Sequence, residues 1–284
     1  MKKNVETFIA CEASYEDAHV VIFGAPFDST TSYRPGARFG SAAIRHESYG
    51  LETFSPYLNR DLEDIRVFDS GDLELPMGAP ELALDAISQH TALFLRDGKL
   101  PLMLGGEHLV TLGAFRAIHN FYPNVQIFHL DAHADLRDDY LGVRLSHACV
   151  IRRCHDLLGD GRIFQFGIRS GDRCEWSFAR SGHTDLHPFS LVDLERVVKG
   201  LSPHTPTYFT IDLDVLDPSV FPGTGTPEAG GVSFNDLCQA VYLVCEHLNV
   251  VGCDVTELAP MLDVSGASTC VACKVVRELL LALK

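Results

Sequence analysis

Residues 128–135 read F-H-L-D-A-H-A-D, and they restrict the fold more than any other stretch. Asp131, His133 and Asp135 recur at every second position, and an apolar run of Val125, Ile127, Phe128 and Leu130 leads into them. Successive side chains of a strand point to opposite faces, so a spacing of two puts all three on one face. The run therefore predicts a buried strand with potential metal ligands at its C-terminal end, the edge where open parallel sheets place their sites. The D-L-D at 212–214 repeats the pattern after Tyr208, Phe209 and Ile211. Two strands that each end in paired carboxylates repel one another at low dielectric, and bound divalent cations relieve that repulsion.

The rest of the composition limits what such a site serves. At 284 residues and 46% hydrophobic, the chain can bury a large core. It has no Pro/Gly/Ser-rich linker, so one domain over 1–284 is expected. The formal net charge of −15 argues against nucleic acid and against an anionic membrane as partners, and favours a small cationic substrate. No run of 18 apolar residues exists to span a membrane. Nine cysteines, an odd number, with no apolar N-terminal signal region, predict reduced thiols and a cytoplasmic location. Cys270 and Cys273 form a C-x-x-C with no second Cys pair or His partner, and read as structural thiols inside a helix.

Apolar β-type runs at 20–24, 65–68, 100–104, 125–130, 163–166, 208–211 and 250–253 alternate with helical patterns at 80–96, 109–119, 148–158, 234–248 and 267–283. Continuous apolar strands separated by helices predict a mostly parallel sheet covered on both faces. Residues 27–40 are too polar and Gly-rich for either element and read as a connecting loop or a substrate-facing lid. G-G-E-H at 105–108 sets His108 between a strand end and a helix start, where a lone histidine ordinarily caps or packs. The glycines at 105, 106 and 113 lack the spacing of a phosphate loop. Asp138 and Asp139 read as a solvated loop or as substrate contacts.

Together, G-G-E-H (105–108), D-A-H-A-D (131–135), S-H-A (146–148), D-L-D-V-L-D-P (212–218), P-G-T-G-T-P-E-A-G-G (222–231) and T-E-L-A-P (256–260) resemble the ureohydrolase family, in family order across most of the chain. Within it the chain is most similar to the agmatinase branch, through S-Y-R-P-G-A-R-F-G (32–40) and D-A-H-A-D-L-R-D (131–138). The resemblance implies a three-layer α/β/α fold with a mostly parallel sheet of about eight strands, and a homo-oligomer, trimer or hexamer. It implies two metal ions per chain, one held by His108, Asp131, Asp135 and Asp212, the other by Asp131, His133, Asp212 and Asp214. So oxygen-rich a donor set, with one imidazole per ion, suits Mn²⁺ better than Zn²⁺. In the implied reaction an activated water adds to a guanidinium carbon with Asp135 orienting it, Glu257 pairs with the guanidinium, and His147 carries the proton to the leaving amine.

Departures from arginases bear on the substrate. Arg137 and Asp138 occupy the segment where arginases meet the α-carboxylate and α-amine, and T-E-L-A-P replaces E-V-N-P. Both favour a substrate without the amino-acid head, namely agmatine, cleaved to putrescine and urea. Guanidinobutyrate or arginine hydrolysis on the same fold, and a non-catalytic metal-binding protein, stand as alternatives. An acidic distal pocket using Asp138, Asp139 or Asp172 would select an amine, and a basic one using Arg137 or Arg169 a carboxylate. Glu107 stands where many relatives carry Asp.

Overall fold

Most of the apolar runs become strands that are buried along their whole length, which is why they need no hydrophobic alternation. In this computed structural model, which describes residues 6–283, the strands are β1 (Val20–Ala25), β2 (Phe54–Ser55), β3 (Arg60–Asp61), β4 (Val67–Asp72), β5 (Leu100–Gly105), β6 (Gln126–Leu130), β7 (Ile163–Ile168), β8 (Asp185–Pro188), β9 (Pro206–Asp212) and β10 (Asn249–Thr256). The expected domain 1–284 thus includes residues 1–5 and 284, which lie outside the described ones. β2 and β3 make a short antiparallel ribbon. The other eight form one sheet in the order β4-β1-β5-β10-β9-β6-β7-β8, and every pairing in it is parallel.

Helices cover both faces: α1 (Gly40–Ser48), α2 (Pro80–Arg96), α3 (Val110–Phe121), α4 (Val150–Leu158), α5 (Arg173–Phe178), α6 (Leu194–Gly200), α7 (Phe234–His247) and α8 (Ala267–Ala282). Ile44 of α1, Leu194 of α6, Leu237 of α7 and Val275 of α8 share one core with Phe128 and Phe209. Leu84 of α2, Phe115 of α3 and Ile151 of α4 share the other with Ile127 and Tyr208. Burying each such side chain contributes roughly 1.5–3 kcal/mol. The three-layer α/β/α expectation is met. Local chemistry sets the helix starts: Pro80 opens α2, and Ser233 with Asp236 closes a reciprocal capping box on α7.

The sequence pattern missed β8, the ribbon, α1, α5 and α6. β8 reads D-L-H-P, a short, half-exposed edge strand without an apolar run. The stretch 27–40 is not loop throughout, because a 3-10 turn forms over Ala37–Phe39 and α1 begins at Gly40. The strand expected to carry Asp131, His133 and Asp135 stops at Leu130. Its neighbour β9 ends at Asp212, so the ladder runs out there; only a single bridge from His133 to Ser170 follows, and Asp135 turns away with φ 54°. None of the nine cysteines is in a disulfide; Cys273 is buried and donates to Ile44 O, while Cys270 is exposed. Among the described residues no helix is long and apolar enough to cross a membrane.

The end of β5 and the loop after β1 touch backbone to backbone. Glu107 N donates to Phe27 O at 2.8 Å, and a Cβ on Gly106 would stand 2.0 Å from that oxygen. Gly106→Ala is therefore expected to cost about 1–3 kcal/mol through overpacking. Urea unfolding measures it, and an unchanged midpoint would mean that the Phe27 segment yields freely.

Candidate active site

Four adjacent central strands, β5, β10, β9 and β6, each deliver acidic or imidazole groups at the C-terminal edge of the sheet. His108 follows β5, Glu257 follows β10, Asp212 ends β9 with Asp214 in the next 3-10 turn, and Asp131, His133 and Asp135 follow β6. Register aligns them. Thr256 pairs with Asp212, and Leu130 with Ile211, so Asp131 emerges beside Asp212. Asp135 and Glu257 have φ of 54° and 66°, a left-handed conformation that side-chain-bearing residues adopt at a cost. Strain of order 1–3 kcal/mol at such positions persists where the surroundings hold it and accompanies functional sites.

Hydrogen bonding fixes the imidazole of His108. Its Nε2 lies 2.9 Å from Thr210 Oγ1, whose own proton goes to Asp254 Oδ1 at 2.6 Å. Thr210 therefore accepts from His108, which leaves a lone pair on Nδ1. That nitrogen lies 3.0 Å from Asp131 Oδ2, 3.1 Å from Asp135 Oδ2 and 3.4 Å from Asp212 Oδ2. A lone pair facing three carboxylate oxygens is repulsive unless a proton or a metal ion sits between them. His108 Nδ1 and Asp214 Oδ2 are both buried without a hydrogen-bond partner. His133 Nδ1 lies 3.0 Å from Asp214 Oδ2 and 3.4 Å from Asp131 Oδ1.

These donors fit divalent cations. Donor atoms of Asp131, His133 and Asp214 group within 4.8 Å, as do those of His108, His129, Asp131 and Asp135, with Asp131 common to both sets. Asp212 stands outside these two groupings. The protein alone leaves the cluster frustrated. Burial, then repulsion from Asp131, pushes Asp135 up to about 7. Burial, then repulsion from Asp214 and Asp131, raises Asp212 well above the carboxylate range. Burial works against charge at Asp131 as well, but bonds from His108 and His129 overrule it and hold that carboxyl well below its usual range. At His108 and His133 burial favours the neutral ring, yet the surrounding carboxylates raise both well above the ordinary imidazole value.

His129 is hidden in the sequence by the apolar run around it, although it continues the same period-two series as Asp131 and His133. Fully buried, it lies with Nε2 2.8 Å from Asp131 Oδ2 while Nδ1 faces Gln165 Nε2 at 3.0 Å. Gln165 donates, so Nε2 carries the proton and His129 orients Asp131 rather than offering a lone pair. Asp254, also unremarked in the sequence, collects protons from Thr111, Tyr208 and Thr210 beneath His108. Glu257 Oε1 accepts from His108 N at 2.8 Å, and burial followed by repulsion from Glu107 raises its carboxyl well above the usual range.

Above the cluster opens a cavity of about 370 Å³ whose lining includes Ser32, Arg137, Tyr140, His147, Asp172, Glu175 and Glu257. His147 Nδ1 donates to Thr30 O at 3.0 Å, so Nε2 is the nitrogen left for exchange, with Ser32 Oγ at 3.3 Å. Burial pushes this imidazole down to about 4, away from the near-neutral value of an unperturbed ring. Among the described residues Arg137 is the one Lys or Arg side chain of the lining. It reaches Asp172 at 2.7 Å and Glu175 at 3.5 Å. A capping box at the start of α5 fixes both acids, since Asp172 accepts from Glu175 N and Glu175 accepts from Asp172 N.

The other candidates for the distal end lie elsewhere. Arg169 spends its guanidinium on backbone carbonyls of Gly167, Asp214, Val215, Leu216 and Glu228. Asp138 turns outward to Arg144 and Arg153, and Asp139 closes a turn on Gly142 N.

Comparison with known proteins agrees with this architecture. The family model described as the arginase family matches residues 18–282. The agmatinase of Bacillus anthracis is 45% identical over 277 residues, 97% of this chain and 96% of that protein. A human mitochondrial guanidino acid hydrolase is 35% identical, covering 96% of this chain and 80% of its own. The crystal structure of the agmatine ureohydrolase of Thermoplasma volcanium superposes with a TM-score of 0.88 at 32% identity, covering 98% of this chain and 94% of that one. With its parallel sheet, its edge of converging carboxylates and imidazoles, and these matches over nearly its full length, the chain belongs to the arginase family, the hydrolases of C–N bonds in linear amidines.

Proposed function

We propose that this protein hydrolyses agmatine to putrescine and urea in a site that holds two divalent cations. The observation that carries the choice of substrate is the state of Arg137. Among the described residues the sole Lys or Arg of the cavity lining is offset by Asp172 and Glu175, so they leave the distal end no free Lys or Arg for a carboxylate and a surplus of negative charge for an ammonium. A guanidino acid, the substrate class in the name of the human relative, would need Arg137 released. Similarity to agmatinases along the whole chain supports the same reading.

We assign His108, Asp131, Asp135 and Asp212 to one ion and Asp131, His133, Asp212 and Asp214 to the other. Mn²⁺ suits this oxygen-rich set. When bound, the ions supply a water acidic enough to become a nucleophile near neutral pH. The chain's own groups do the rest. Asp135, beside His108, orients the water towards the guanidinium carbon, and Glu257 pairs with the guanidinium NH groups. As the tetrahedral carbon collapses, the bond to the alkyl nitrogen breaks. His147, neutral and with Nδ1–H committed to Thr30, takes up a proton at Nε2 and returns it to the departing amine. We read the chain as one domain, and its cysteines, none in a disulfide, support a cytoplasmic setting.

Urea release from agmatine, 4-guanidinobutyrate and arginine by Mn²⁺-loaded protein tests the substrate. Agmatine is expected to lead by kcat/KM, chelation to abolish turnover, and Mn²⁺ to restore it best. Preference for guanidinobutyrate, or full rate in rigorously metal-free protein, would sink the reading.

Metal analysis tests the ligands. Asp131→Asn and Asp212→Asn are each expected to lose at least one ion and all activity, because each carboxylate serves both ions. Asp172→Asn keeps a capping oxygen on α5 and should retain both ions. Its kcat/KM for agmatine should fall roughly two- to fivefold, the size expected of a partly exposed charge contact worth up to ~1 kcal/mol. Two ions per chain in both the Asp131 and the Asp212 variants would count against the assignment.

His147→Ala should keep both metals and lose roughly a hundred- to ten-thousand-fold in kcat with little change in KM. The folded pKa lies below the unfolded one, so the ring stays neutral as pH falls through 6 and protonates only at about 4. Proton NMR of metal-free protein reads this directly. A midpoint near the ordinary imidazole value would mean that the loop carrying Thr30 does not cover the ring.

A further inference from the structure

We infer that Glu107 is a positioning residue for the proton-carrying imidazole of His147, acting through Thr30; the inference rests on the role given to His147 above. Glu107 is fully buried and does not line the cavity, so it has no contact with substrate to account for it. Its whole carboxylate is spent on two adjacent residues far from it in sequence, Thr30 and Thr31. Oε1 accepts from Thr30 Oγ1 at 2.6 Å, and Oε2 from Thr30 N at 3.0 Å and from Thr31 Oγ1 at 3.1 Å. Thr30 belongs to the irregular segment after β1, which has no ladder of its own to fix its height above the sheet.

Those bonds propagate. Because the Thr30 hydroxyl gives its proton to Glu107, its oxygen is left as an acceptor, and His147 N donates to it at 3.1 Å. The Thr30 carbonyl accepts from His147 Nδ1 at 3.0 Å. One residue thus holds His147 by backbone and ring together, and the ring bond selects the tautomer whose Nε2 lone pair faces the cavity. Tyr140 meets the ring edge-on at 5.9 Å between centroids and limits its tilt from the other side. Loss of the Glu107 bonds leaves Thr30 with two undirected donors, which frees the carbonyl to shift and the imidazole to sample both tautomers. The segment has separate anchors that keep it folded: Asp28 accepts from Gly36 N and pairs with Arg38, and Arg34 donates to Thr224 O and Gly225 O.

Glu107→Gln and Thr30→Val, each made in the parent and in the His147→Ala protein, test the coupling by steady-state urea release from agmatine with Mn²⁺ loaded. Each single variant is expected to lose roughly 10- to 100-fold in kcat, the scale of a misplaced catalytic group, with KM and metal content held. In the His147→Ala background neither change should slow the enzyme further, and Thr30→Ser should recover the parent rate. An equal loss in both backgrounds, or loss of a metal through neighbouring His108, overturns the proposal. A second readout needs no turnover. In protein loaded with a diamagnetic divalent ion, the ¹⁵N shifts of His147 should report a single Nδ1–H tautomer in the parent and a mixture in Glu107→Gln. An unchanged tautomer in the variant overturns the proposal whatever the activity. A parent that releases no urea from any guanidino compound would instead overturn the proposed function.

Discussion

Five carboxylates converge at one edge of the sheet, and their mutual repulsion is the constraint to which the rest of the molecule answers. Asp131, Asp135, Asp212, Asp214 and Glu257 are all nearly or wholly buried, so water screens little of their charge. Their neighbours divide the burden. His129 and Gln165 secure Asp131, Ala132 N secures one oxygen of Asp214, and His108 N secures Glu257. These bonds do not reach His108 Nδ1 or Asp214 Oδ2, which are buried without a hydrogen-bond partner and whose donor chemistry fits a divalent cation.

The turn at 105–108 has a reach out of proportion to its length. Gly106 lets the loop after β1 approach backbone to backbone, and its carbonyl accepts from Glu257 N. Glu107 fastens Thr30, and His108 offers its ring to the carboxylates and its N–H to Glu257. Groups assigned to metal binding, guanidinium pairing and proton transfer are therefore indexed to one rigid segment between β5 and α3.

The central sheet was legible because burial on both faces leaves uninterrupted apolar runs, and the acidic and imidazole residues that gather at its edge were legible because they follow those runs at short, regular spacing. β8 was not, since an edge strand half open to solvent has no reason to be apolar. α1, α5 and α6 are short and begin inside polar segments. Spacing placed Asp131, His133 and Asp135 correctly after β6 but with the wrong local geometry, because a period of two cannot reveal that the ladder ends at Leu130 or that Asp135 turns left-handed. His147 and Glu257 came from family resemblance alone. His129 and Glu107 lie within F-H-L-D-A-H-A-D and G-G-E-H themselves. Their partners, Gln165 and Thr30, lie 36 and 77 residues away, and no local pattern contains that information.

The left-handed backbone at Asp135 and Glu257 has a consequence for how such a protein changes over time. Glycine occupies that conformation without steric cost, aspartate and asparagine tolerate it better than most other residues, and glutamate does not share that tolerance. Selection for thermal robustness alone would thus reward glycine at either position, and with it discard groups of the candidate site. Libraries screened only for heat resistance should drift towards inert, sturdier proteins at these two positions.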